Sequence, residues 1–273
     1  MTTMTLGRAA RPCAALAAAL AVTLGSSAAA IAQTAATASA APTVAAQMSK
    51  EPRALEALET MGRYLRTLKT FTLRADTTID EVLVNGQKLQ FGGTVDYRYR
   101  APDRLRLELR SDRQHRDFIY DGKTLTMSAP RMKLYASVPA PATVGELIQV
   151  AERDFGLAMP LADLFLWGGE ASGGQDLIGA AYIGPARIDG QRCDHYAFRQ
   201  EGVDWQLWIR QGKSPLPCKL VITTTFEPEQ PQYTALLRWD LATPPPAESF
   251  RFRPASDARR IELVRVDAAP ASK

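Results

Sequence analysis

Between Gly190 and Leu241 four segments of alternating apolar and polar residues follow one another with little more than a turn between them. They read as consecutive antiparallel strands: Gln191 to Gln200, Val203 to Arg210, Pro217 to Phe226 and Gln232 to Leu241. Short connections through Gly202 and Gly212 are of the kind that hairpins use. In the second segment Val203, Trp205, Leu207 and Ile209 share one face while Asp204, Gln206 and Arg210 share the other, as an extended chain with a period of two requires. Trp208 breaks that alternation. In the fourth, Tyr233, Ala235, Leu237, Trp239 and Leu241 stand opposite Gln232, Thr234, Arg238 and Asp240.

The same pattern runs through the first half of the chain. Phe71, Leu73, Ala75, Thr77 and Ile79 alternate with polar residues, Asn85-Gly86 supplies a strong hairpin signal, and Leu89, Phe91, Gly93, Val95, Tyr97 and Tyr99 return on one face. The paired Gly92-Gly93 predicts a bend or bulge there. After Pro102-Asp103, Leu105, Leu107 and Leu109 alternate with Arg104, Arg106, Glu108 and Arg110, and shorter strands follow at Phe118 to Tyr120, Leu125 to Met127 and Leu134 to Val138. Helical spacing occurs in two places. Leu55, Leu58, Met61, Leu65 and Leu68 mark an amphipathic helix from about Glu51. Leu147, Val150, Ala151 and Leu157, then Leu161, Leu164, Phe165 and Trp167, mark two more on either side of Pro160. Gly168 to Gln175, with four glycines, reads as a loop, and Phe250 to Pro254 as extended chain.

About ten to eleven strands with one apolar and one polar face imply a mainly β (α+β) domain: an antiparallel sheet packed on one side, wide enough to curl into a half-barrel that the few helices plug. Two interiors fit this pattern. Either the helices complete a dry core, or the inward face lines an apolar cavity. In the second case Phe91, Val95, Tyr97, Leu105, Leu107, Trp205, Leu207 and Ile209 represent the ligand-binding surface.

Composition then sets the compartment. Arg8 and Arg11, the apolar run Ala14 to Leu24, and Ala30-Ile31-Ala32 before Gln33 have the layout of a secretory signal peptide spanning 1–32 and cleaved after Ala32, which predicts export to the periplasm. Residues 33–50 are rich in Ala and Thr and read as a disordered tether, 51–266 as a single β domain, and 267–273 as a disordered tail. Removal of the leader lowers the formal charge from +4 to +2, with 31 basic against 29 acidic groups left, which is no footprint for nucleic acid. The cysteines then remaining, Cys193 and Cys218, are expected as separate thiols because the strand Val203 to Arg210 should lie between theirs.

The candidate chemistry is sparse. His115 and His195 do not stand at metal-ligand spacing with other His or Cys residues, and no nucleophile elbow is present. Cys193 and His195 share a strand face from which Asp194 points away. The sequence therefore predicts no catalytic residue, no metal and no cofactor. Arg98, Arg100, Arg104, Arg106, Arg110, Arg113 and Arg116 form a basic cluster with two readings: a solvated outer face balanced by Glu108, Asp112 and Asp117, or a surface for transient contact with an anionic membrane or a partner protein.

Ala101-Pro102-Asp103-Arg104-Leu105-Arg106-Leu107 and Tyr120-Asp121-Gly122-Lys123-Thr124-Leu125 resemble the outer-membrane lipoprotein carriers LolA and LolB, as does Phe250-Arg251-Phe252-Arg253-Pro254 near the C-terminus. Pro160-Leu161-Ala162-Asp163-Leu164, Cys193-Asp194-His195-Tyr196-Ala197-Phe198 and Asp204-Trp205-Gln206-Leu207-Trp208-Ile209 resemble the exported domain-of-unknown-function family 2092, over most of the chain beyond the leader. The resemblance implies a LolA-like half-barrel. It also implies a non-enzymatic carrier or binder of a lipid, lipoprotein or other hydrophobic ligand such as an acyl chain. A protein-interaction or sensor module of the same fold is the alternative.

Overall fold

The computed structural model describes residues 49–167 and 176–266. The expected signal peptide, nearly all of the tether, the glycine-rich loop and the tail lie outside them. Helix α1 (Pro52–Thr67) begins with its proline at the first turn, where the missing N–H costs no hydrogen bond, and buries Ala54, Leu58, Met61 and Leu65. Strands β1 (Thr70–Val82), β2 (Lys88–Arg100), β3 (Arg104–Ser111), β4 (His115–Tyr120), β5 (Thr124–Ala129) and β6 (Leu134–Pro139) then form a meander. Helix α2 (Val144–Phe155) is opened by a reciprocal cap between Thr143 and Glu146 and closed by Gly156 in the left-handed region. The next helical turn, α3, is short (Asp163–Leu166).

The second meander comprises β7 (Gly179–Ile188), β8 (Gln191–Gln200), β9 (Val203–Arg210), β10 (Pro217–Thr224) and β11 (Gln232–Asp240). The two meanders join where β11 pairs with β1, with Leu73 opposite Trp239 and Ala75 opposite Leu237. A two-residue strand, β12 (Arg259–Arg260), adds parallel to β6 and completes an open sheet in the order β12-β6-β5-β4-β3-β2-β1-β11-β10-β9-β8-β7. The sheet is antiparallel apart from that last pair, mainly β, and covered on its apolar side by α1, α2 and α3. A core cluster runs through Leu58, Leu73, Tyr97, Leu107, Leu147, Leu164, Phe198 and Leu207.

Twelve strands replace the ten to eleven expected, and the difference lies in β7 and β12. Gly184 and Pro185 obscure the alternation of β7, and its place at the sheet edge explains why a proline is tolerated there. No bulge occurs at Gly92-Gly93: β2 keeps continuous register with β1 through both residues, and its pairing with β3 begins at Gly93. Gly93 answers a different need, since a Cβ there would lie 2.8 Å from the Arg110 carbonyl oxygen. Irregularities fall instead at Ile183 in β7 and Cys218 in β10. Strand β9 does separate β8 from β10, and both cysteines are free and buried. Cys218 Sγ donates to the Leu216 carbonyl at 3.7 Å; the neighbouring Cys218 thiol is the main cause of a lowered Cys193 pKa, and Cys193 together with burial raises the Cys218 pKa.

Candidate functional site

The concave face gathers most of the predicted ligand-binding residues. Val95, Tyr97, Leu105, Leu107, Trp205, Leu207 and Ile209 are all buried in the same core cluster, and register explains their convergence: Tyr97 stands opposite Leu107. Phe91 is not brought together with them. It lies near the β1–β2 hairpin end, half-buried, with the Arg113 guanidinium 5.0 Å above its ring. Ile209 also borders a shallow cleft of about 310 Å³ between α1 and the β8–β9 strands.

Over β1, β2 and β11 the cover is α3. Its Phe165 is half-buried in an aromatic box, with ring centroids 6.0 Å from Phe71, 5.5 Å from Tyr97 and 5.3 Å from Tyr99. Trp239 closes the far side, 5.1 Å from Phe71. Tyr97 donates to the Pro160 carbonyl and Trp239 Nε1 to the Pro217 carbonyl, so the polar tips of both rings are used by loops. The next residue after α3, Trp167, stacks on Trp205, which lies against Phe198 at 4.1 Å and donates to Gln200. On the same face the Tyr233 hydroxyl is buried without a hydrogen-bond partner, and burial raises its pKa. Sequence reasoning missed Phe165, Trp239 and Tyr233 as a set. Tyr233 and Trp239 share one face of β11 while Phe165 comes from α3, and their meeting with Phe71 depends on the β1–β11 junction.

The outer face carries the other features. Trp208, which broke the strand alternation, stacks on His195 at 4.0 Å and lies under Lys219 Nζ at 4.8 Å. His195 Nε2 is 3.0 Å from Gln206 Oε1, and burial is the main reason its pKa is lowered, with Lys219 adding to it. This gives His195 a structural setting, hydrogen-bonded and stacked. The basic cluster divides among carboxylates: Arg98 and Arg110 reach Glu108, Arg106 reaches Asp117, and Arg113 reaches Glu81. Beyond β3, the segment from Glu248 to Ala258 crosses the outer face toward β12 and encloses a cavity of about 630 Å³ that includes Arg106, Asp117, Ile119 and Phe252.

The chain matches the model of DUF2092, described as a predicted periplasmic protein, over residues 54–264. No curated protein matches it. Among solved structures, the lipoprotein LppX of Mycobacterium tuberculosis is 12% identical, with 69% of this chain and 95% of that one covered and a TM-score of 0.42. MucB is 14% identical, with 74% and 64% covered and a TM-score of 0.41. A LolA superfamily protein of Nitrosomonas europaea is 10% identical, with 73% and 97% covered and a TM-score of 0.31. With its matched span taking in α1, both meanders and β12, the chain belongs to the DUF2092 family of predicted periplasmic proteins.

Proposed function

We propose that the protein is an exported, non-enzymatic carrier or binder of a hydrophobic ligand, such as an acyl chain or a lipoprotein, held on the concave face of the sheet. The observation that carries this reading is the cover over the aromatic box: four residues of helix with Phe165 inserted among Phe71, Tyr97 and Tyr99. A side chain in that position has the volume and chemistry of the ligand it would yield to. Burial of a methylene contributes roughly 0.8 kcal/mol, so several of an acyl chain's methylenes offset an association cost of several kcal/mol. Val95, Leu107, Trp205, Leu207 and Ile209 would extend the site beyond the box, and Phe91 would mark its rim.

A second reading is a protein-interaction module. It draws on the complete burial of Leu107 and Leu207 beneath the helices, together with exposed Ile178 and Ile183 beside and within the edge strand β7. Uptake of a fluorescent fatty-acyl probe separates the two. The carrier reading expects wild-type binding, loss of binding in Leu207→Glu with cooperative melting retained, and tighter binding in Phe165→Ala. Lys213→Glu, in the exposed β9–β10 loop, serves as the control. Absence of uptake by both folded wild type and folded Phe165→Ala overturns the carrier reading in favour of the interaction module.

A further inference from the structure

Strands β3 and β4 set Glu108 directly opposite Asp117 on the outer face, and Glu108 also faces Asp96 of β2. Like charges opposite one another in a sheet are destabilising, and here two of the three carboxylates are withdrawn from solvent: Glu108 is 7% exposed and Asp117 8%. His115, two residues before Asp117 on β4, stands on the same face. One ligand atom from each of Glu108, His115 and Asp117 falls within 4.8 Å of the other two.

The two contacts that His115 makes in this group have the spacing of neighbouring ligands on one ion. His115 Nε2 lies 3.3 Å from Asp117 Oδ1 and 3.5 Å from Glu108 Oε1. Ligands on a tetrahedral ion with bonds of about 2.0 to 2.1 Å are separated by about 3.3 to 3.4 Å. Both His115 Nε2 and Asp117 Oδ1 are buried without a hydrogen-bond partner, although they adjoin each other. The two atoms stand at ion-pair distance but do not meet hydrogen-bond geometry, and a cation between them would satisfy both. From this geometry we infer that Glu108, His115 and Asp117 bind a divalent transition-metal ion of the Zn²⁺ type.

The surrounding arginines fit the supporting layer of such a site. Arg106 reaches Asp117 through Oδ2, at 3.4 Å, and leaves Oδ1 to the ion. Arg98 approaches Glu108 Oε2 at 3.9 Å, leaving Oε1 toward His115. Arg110 pairs with the same Glu108 Oε1 and would have to give way to the ion; its side chain is 58% exposed. Carboxylate ligands are commonly held in this way by a second set of partners. Three protein ligands leave a fourth position for water or an anionic group. Asp117 also lines the cavity of about 630 Å³ under the C-terminal segment, which is open to such a group.

The test is titration of the full-length exported protein, freed of metal by chelator, with Zn²⁺ alone in competition with a chromophoric chelator. Co²⁺ serves as a spectroscopic substitute. Expected are one equivalent bound per chain, ligand-field absorption of a low-coordinate Co²⁺ site, and a loss of affinity above about 100-fold in His115→Ala and Asp117→Asn, beyond what loss of a mere supporting partner causes. His195→Ala, on the other meander, should bind as wild type does. Cooperative unfolding of each variant confirms that it is folded. Zn²⁺ binding absent from the wild type, or unchanged in folded His115→Ala and Asp117→Asn, overturns the inference and leaves the three residues an ion-pair network. Because no acyl probe is involved, this outcome is independent of the carrier reading.

Discussion

Tyr97 donates its hydroxyl to the backbone carbonyl of Pro160 at 2.6 Å, tying the middle of the concave face to the segment that leads into α3. Its ring is fully buried and touches Phe165, so one side chain both supports the aromatic box and anchors its cover. Tyr97→Phe keeps the ring and removes the donor, leaving a carbonyl in the interior without its partner. The expected loss is about 1 to 3 kcal/mol, read as a lower denaturant midpoint at unchanged m-value. An unchanged midpoint would show that water replaces the hydroxyl and that the cover is not anchored there.

Gly92 and Gly93 are adjacent in β2 yet make opposite demands. A Cβ at Gly93 would meet the Arg110 carbonyl at 2.8 Å and Thr77 Oγ1 at 3.3 Å, whereas one at Gly92 meets nothing within 4 Å. Gly93→Ala must push two neighbouring strands apart and should cost about 1 to 3 kcal/mol. Gly92→Ala restricts the unfolded chain without a clash and should be neutral or stabilising by up to about 1 kcal/mol. Thermal melts of the two variants side by side decide whether close strand approach, rather than bending, explains the pair.

The same two glycines mark where sequence reasoning stops. Alternation identified the strands around them because burial on one face repeats every second residue. It could not separate a glycine that bends a strand from one that admits a neighbour, because that depends on which carbonyl lies opposite. The concave face was legible for a related reason: Val95, Tyr97, Leu105 and Leu107 sit in hairpin-connected strands, so local pattern settles their side. The aromatic box was not, since Phe165 and Trp239 meet Phe71 through the β1–β11 junction between distant segments. Glu108, His115 and Asp117 escaped for the converse reason. They are close in sequence, but their spacing matches no helix or loop ligand motif, and strand register brings them together.

His195 makes stability depend on pH in a direction that follows from its setting. Burial, reinforced by Lys219, lowers its folded-state pKa, so the folded protein resists protonation more than the unfolded chain does. As pH falls through about 6.5, the unfolded value, the unfolded chain gains its proton first. Stability therefore falls from that point until the folded-state pKa is reached, and this contribution is level below it. His195→Gln removes the titration, so the difference in midpoint between wild type and variant should change with pH in this window and stay constant from pH 7 to 8. A constant difference throughout would mean that folding does not perturb His195.

Tyr233 offers the reverse of Tyr97 on the same face. Tyr97 belongs to the core cluster and Tyr233 packs against it, but the Tyr233 hydroxyl is buried without a partner, whereas that of Tyr97 is satisfied. An unmet buried hydroxyl carries a desolvation cost of about 1 to 3 kcal/mol with no bond to offset it. Tyr233→Phe should therefore raise the denaturant midpoint of the ligand-free protein, opposite in sign to Tyr97→Phe, although each variant loses one oxygen. Under the carrier reading the same hydroxyl is available to the polar end of a ligand, so Tyr233→Phe should weaken binding of a fatty-acyl probe while leaving that of a pure hydrocarbon of equal length unchanged. The combination of higher stability and selective loss of the polar ligand is what a group kept for binding produces. A fall in stability would mean that the hydroxyl is hydrated in solution, and equal loss of both ligands would place Tyr233 in the wall of the site rather than at its polar end.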